Sequence, residues 1–221
     1  MKKALLCAMP GEAAPLIAAA EKKLAASGVP IYLLPGGTVL CVGGVGKVNA
    51  AMAACILCRD YAPELVLNLG VAGSLDDAPA GTVVAADSCV QHDVDTTLAG
   101  DAAGFVSTVN VRSFPCSFSD EAAAMLRLRG LPVRRGIVAT GDWFARDYSR
   151  AEWIKREFGA SVVDMEAGAA AQVCMRAGVP FLAVKTVSDH LFSPDQSAEY
   201  RANIRAAADA LAAAAGILLE M

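Results

Sequence analysis

The chain has 221 residues, 55% of them hydrophobic and only 19% charged, with a formal net charge of −4 at pH 7. That length accommodates one large domain over 1–221 with a substantial core, and that composition excludes a disordered chain. No basic run is present to neutralise phosphates, which argues against a nucleic-acid surface and leaves small polar metabolites as partners.

In chain order, Met1-Lys2-Lys3 and the apolar Ala4 to Met9 are too short to read as a secretory h-region, with Glu12 following directly. Ala4 to Ala8 instead predicts a buried first strand, Pro10-Gly11-Glu12 a turn, and Pro15 the first turn of a helix reaching about Ala26. Ile31 to Leu34 and Thr38 to Val42 predict a hairpin around Pro35-Gly36-Gly37. Gly43-Gly44-Val45-Gly46-Lys47 then opens a helix over Val48 to Tyr61. Its spacing is neither a Walker A loop nor a dinucleotide fingerprint, so it reads either as a bare strand-to-helix turn or as a ligand-cradling one.

Leu65 to Leu69 is an apolar strand broken only by Asn68, running into a second glycine-rich turn, Gly70-Val71-Ala72-Gly73-Ser74. Val83 to Val90 is a further strand ending at His92, which has Asp93 and Asp95 beside it. Lacking a third, separated ligand set, this cluster predicts loop hydrogen bonding rather than a metal site. Leu98 to Ser119 is loop-like, of a length that suits a lid or an interface. Asp120 to Leu128 predicts a helix, Gly136 to Thr140 a strand, and Trp143-Phe144 two aromatics at its end that either pack in the core or stack on a flat ring.

Arg150 to Phe158 predicts a helix. The stretch Ser161 to Ala171 then reads as a buried strand entering a helix, placing Asp164, Met165 and Glu166 at the mouth of a pocket. Acids in a helix first turn and a core-filling Met are the plainer alternative. Pro180 to Val187 is the last strand, ending in Ser188-Asp189-His190, and a final helix carries Tyr200, Ile204, Ala208, Leu211, Ala215 and Leu218 on one stripe. That helix includes Arg201, Arg205 and Asp209, so it is not expected in a bilayer.

Seven scattered cysteines (Cys7, Cys41, Cys55, Cys58, Cys89, Cys116, Cys174) suit reduced, buried thiols and a cytoplasmic location. Cys55-x-x-Cys58 lies in Ala-rich helical sequence with no second pair, and no metal or cofactor is assigned to it. Strands alternating with helices predict a three-layer αβα sandwich with a twisted mixed sheet. In such a fold Glu12, Asp164, Glu166 and Asp189 all reach one sheet edge. Converging carboxylates suit a neutral, hydroxyl-rich substrate, one acid protonating a leaving group while another activates water.

The ordered motifs Ala8-Met9 with Glu12, Gly44 to Val48, Asn68 to Gly73, Gly141 to Phe144, Val163 to Ala167 and Val187-Ser188-Asp189 resemble the nucleoside phosphorylase and nucleosidase superfamily. Within it the chain is most similar to 5′-methylthioadenosine/S-adenosylhomocysteine nucleosidases. The resemblance implies that Glu12 activates water and that Asp189, held by Ser188, protonates the departing purine. It further implies that Glu166 binds the ribose hydroxyls, that Met9 and Met165 pack on the sugar, and that Phe144 stacks on adenine. Val45, Val71, Ala72, Gly73 and Asp164 complete the expected binding surface, and the family implies a homodimer.

Several positions depart from the family pattern. Leu67-Asn68-Leu69 stands where phosphorylases bring an arginine to phosphate, which favours water as nucleophile. Val71 replaces a small hydroxyl residue, Asp164 a glutamate and Lys185 an arginine. The loop after Asp95 lacks the aromatic segment that covers the 5′-alkylthio group, so a nucleosidase for another 5′ group, such as futalosine, stays open. A phosphate-dependent phosphorylase stays open as well.

Overall fold

Continuous apolar runs become the strands of one mixed sheet, buried on both faces at its centre, and the intervening Ala-rich stretches become helices that cover it. A computed structural model describes residues 1–24, 28–144 and 147–221. In chain order the elements are β1 (Lys3–Cys7), α1 (Ala14–Ala18), β2 (Lys22–Leu24), β3 (Ile31–Leu33), β4 (Val39–Val42), α2 (Lys47–Ile56), β5 (Leu65–Ser74) and β6 (Val83–Gln91). They continue with β7 (Phe114–Pro115), α3 (Ser119–Leu128), β8 (Val133–Thr140), α4 (Tyr148–Phe158), β9 (Ala160–Asp164), α5 (Ala167–Ala177), β10 (Phe181–His190) and α6 (Gln196–Leu218).

The strands run in the order β10-β6-β8-β9-β5-β1-β4-β3-β2, with β7 paired to β6. β10 also pairs in parallel with β5, from Phe181 opposite Val66 to His190 opposite Ser74. The end of β5 pairs antiparallel with β9 through Gly73 and Val163. These pairings curl the sheet until five strands, β5-β10-β6-β8-β9, close a ring.

Each face of the sheet has its own core. Leu5, Cys7, Leu67 and Leu69 point toward Leu16 of α1, Leu126 of α3 and Leu211 and Leu218 of α6. Their neighbours Ala4, Leu6 and Val66 point the other way, toward Ala53 and Ile56 of α2 and Ala170 and Cys174 of α5. Ile154 and Phe158 of α4 pack a smaller cluster with Val90, Ala139 and Leu191. Among the described residues, no helix is long and apolar enough to cross a membrane.

The expected elements appear with informative changes. The helix predicted from Pro15 to about Ala26 stops at Ala18, and Lys22–Leu24 instead pairs antiparallel with β3. Only Leu16 of α1 is buried, so little packing energy extends the helix, and the open edge of β3 captures the segment. The last part of that prediction, 25–27, lies outside the described residues. The hairpin forms as expected, with Gly36 (φ 77°) and Gly37 (φ 80°) taking the left-handed conformations its turn needs. The helix from Lys47 finishes in a π-helical turn, Leu57–Tyr61. The largest change concerns Gly70 to Ser74, which is not a turn but a continuation of β5.

Candidate active site

Residues of β5, β9, β10 and α6, together with the loops after β1, β4, β8 and β9, enclose a cavity of about 640 Å³, including its open mouth. It is lined by Met9, Glu12, Val45, Val71, Ala72, Gly73, Phe144, Asp164, Met165, Glu166, Ser188 and Asp189, so every residue singled out for binding or chemistry meets there.

Glu12 is buried, and both of its oxygens are held by backbone amides. Oε2 accepts from Met9 N at 2.9 Å and Oε1 from Val71 N at 2.9 Å. Burial pushes its carboxyl above the usual range, and those amides and the Lys185 ammonium only partly oppose the push. The extended course of β5 explains the glycines. A Cβ at Gly70 would stand 3.1 Å from Glu12 Oε1, and one at Gly73 would stand 2.4 Å from Leu191 Cδ1 and 3.2 Å from Asp189 Oδ2. The glycines thus let two carboxylates approach a strand rather than bend the chain.

Asp189, near the end of β10, accepts from Ser188 Oγ at 2.5 Å on Oδ1 and from Gln196 Nε2 at 2.7 Å on Oδ2. Burial raises its pKa, against the pull of those two donors. Glu166 sits immediately before α5 without capping it, and accepts from Gly46 N at 2.9 Å, which ties the glycine turn before α2 to the acid. Burial, then the Asp164 charge, push its pKa up to about 7.

Asp164 differs from the expectation of a carboxylate at the pocket mouth. Its side chain is sealed from water and bonded on all sides, to Lys185 Nζ at 2.8 Å, Ala167 N at 2.8 Å and Thr140 Oγ1 at 2.5 Å. It serves as a buried buttress beneath Glu166 and satisfies an amide of the first turn of α5, as a helix-start acid does. Burial pulls the Lys185 ammonium down, but Asp164, Glu166 and Glu12 more than offset this and hold it at about 12.

His92 also differs from expectation. Its ring is buried rather than free in a loop, lying edge-on to Trp143 at 5.8 Å with Gly141 beneath it. Burial pushes its pKa down to about 4, so it stands neutral. The Leu98 to Ser119 segment has a short 3-10 turn, Thr97–Ala99, and the two-residue strand β7. Phe144 is half open to solvent and meets Tyr200 in a T-shaped contact at 5.7 Å.

Ala8, Trp143 and Val163, members of the quoted motifs, also line the cavity, as do Gln196 and Tyr200, which carry no motif signal. Tyr200 stands out in the sequence only as the first member of an apolar stripe. The polar residues beside it on the same face, Gln196 and Asn203, are the one hint that this end of α6 meets a site.

Comparisons with known proteins bear on the fold and the family. The chain is 41% identical over 155 residues to a 5′-methylthioadenosine/S-adenosylhomocysteine nucleosidase of Geobacillus kaustophilus, a match covering 68% of this chain and 66% of that relative's length. A nucleosidase of the same name from Neisseria meningitidis, solved with methylthio-immucillin-A, superposes with a TM-score of 0.91 at 29% identity, covering 99% of this chain and 98% of that one. The futalosine hydrolase of Helicobacter pylori shares the fold, with a TM-score of 0.92 at 24% identity over 100% of this chain and 97% of that one. The sequence model of the phosphorylase superfamily matches residues 2–221, and the chain belongs to that superfamily.

Proposed function

We propose that the chain hydrolyses the N-glycosidic bond of adenine nucleosides, 5′-methylthioadenosine and S-adenosylhomocysteine, releasing adenine and a 5-substituted ribose. The observation that carries this reading is the placement of Glu12 and Asp189 in one cavity, each buried and each held by two donors. Breaking the bond builds positive charge on the ribose and negative charge on the base. Glu12, made more basic by burial, takes the proton of the attacking water. Asp189, inclined to hold its proton, delivers it to N7 of the leaving purine.

Glu166 has one oxygen on Gly46 N and offers the other to the ribose hydroxyls. Met9 and Met165 pack on the sugar, Phe144 stacks on adenine, and Val45, Val71, Ala72 and Gly73 fill the remaining wall. Water is the nucleophile in this reading, which is supported by a cavity lining that, among the described residues, includes no arginine or lysine to hold phosphate. The chain works as one domain and as a homodimer, with the exposed Val48 and Met52 of α2 and Leu98 offering an apolar surface to a second copy. Its seven unpaired cysteines support the reading of a cytoplasmic location.

The test is adenine release from methylthioadenosine, adenosylhomocysteine and inosine, each with and without phosphate. Phosphate-independent release from the first two is expected. Release only with phosphate would replace hydrolysis by phosphorolysis.

A further inference from the structure

The start of α6 sends one helical stripe onto three consecutive residues of β10. Gln196 Nε2 donates to Asp189 Oδ2 at 2.7 Å, Glu199 bonds His190 Nδ1 at 2.5 Å, and Asn203 Nδ2 donates to the Ser188 carbonyl at 3.0 Å. Tyr200, on the same stripe, lines the cavity. Spacings of three, four and seven residues put all four on one face, so a single rigid element grips the end of the strand.

Gln196 and Asp189 are both buried, and Gln196 also lines the cavity. Each carboxyl oxygen offers two lone-pair sites. Ser188 Oγ takes one on Oδ1 and Gln196 takes one on Oδ2, which leaves one on each oxygen. A purine with a 6-amino group presents N7 and an N–H donor side by side on its Hoogsteen edge, a two-point match to what remains.

Resting on the nucleosidase reading above, we propose that Gln196 is a positioning residue: its carboxamide fixes the plane of the Asp189 carboxyl so that one oxygen delivers the proton to N7 while the other accepts from the 6-amino group. It acts through Asp189. Among the described residues, the titratable groups acting on Asp189 are His190 on its own strand and Glu199 on α6, and Tyr200, Glu12 and Glu166 share its cavity. None of these is altered in the test.

The test compares Gln196→Met, an apolar near-isostere, with the wild type on two substrates, methylthioadenosine and a 4-nitrophenyl ribofuranoside whose leaving group departs without protonation. A hydrogen bond to a charged group sets the scale, so Gln196→Met should lose roughly 10- to 100-fold on methylthioadenosine, mainly in kcat. The nitrophenyl riboside should be cleaved as by wild type. Gln196 favours ionised Asp189, so its removal should also move the alkaline limb of kcat/KM to higher pH, a change that loss of packing alone does not cause.

Equal losses on both substrates, or wild-type rates on both, overturn the inference. If Gln196→Met does not fold, Gln196→Glu keeps the shape and sets a second acid beside Asp189. An alkaline limb that stays in place in that variant overturns the inference too. A wild-type chain that releases no adenine overturns the nucleosidase reading and this inference with it, whereas an active wild type matched by Gln196→Met overturns this inference alone.

Discussion

Lys185 Nζ lies 2.8 Å from Asp164 Oδ2, and both side chains are sealed from water beneath the cavity floor. The lysine also stands close to Gly70, as Glu12 does, so one buried cation serves several carboxylates. A buried pair is costly to half-remove because the remaining charge has no partner.

Replacing Lys185 with Met should therefore destabilise the chain by about 3–5 kcal/mol. Pairing it with Asp164→Asn should recover part of that loss. Urea unfolding of the two single variants and the double variant measures the coupling, and additive losses would show that the ion pair contributes nothing beyond its parts.

Glu12→Gln keeps the size of the side chain but cannot take a proton, and its single amide oxygen can accept from only one of Met9 N and Val71 N. Adenine release should fall by about 10²–10⁴-fold in kcat, with KM little changed. A fall confined to KM would move Glu12 from the chemistry to substrate binding.

Glu166 has a pKa raised by burial to about 7, against an ordinary value of 4.5. A raised carboxyl contributes stability that is fully present below its unfolded pKa and lost as pH climbs to its folded one. Stability should thus decline between roughly pH 4.5 and 7, by up to about 3 kcal/mol, and level off above. Glu166→Gln should flatten that decline in thermal melts recorded across the range. An unchanged slope in the variant assigns the pH dependence to another group.

Gly73→Ala places a methyl 2.4 Å from Leu191 Cδ1 and 3.2 Å from Asp189 Oδ2. Leu191 must shift and Asp189 with it, costing about 1–3 kcal/mol of stability and a larger factor in kcat than Gly216→Ala in α6, whose Cβ meets nothing within 4 Å. Steady-state rates and melting temperatures of both variants check this. Similar kcat values in the two would detach Gly73 from the acid's placement.

How much of the site was legible before the fold follows from where its residues sit. Glu12, Glu166 and Asp189 each follow an apolar run closely, and a strand that ends in an acid is a local pattern. Asp164 has the same local signature, yet its carboxylate is committed to Lys185 and the start of α5. Telling it from Glu166 requires knowing which way each side chain leaves the backbone at the end of β9.

The sequence by itself determined most of the element types, the layered core and the convergence of acids on one sheet edge, because apolar runs and strand ends are properties of neighbouring residues. Only the tertiary structure decided that Gly70 and Gly73 lie within β5, that five strands close a ring, that His92 is a buried prop for Trp143, and that Gln196 reaches Asp189. Those relations join segments distant in the chain, and they depend on strand register and helix rotation. Both are set by packing the whole sheet at once, and neither is written in any single stretch of residues.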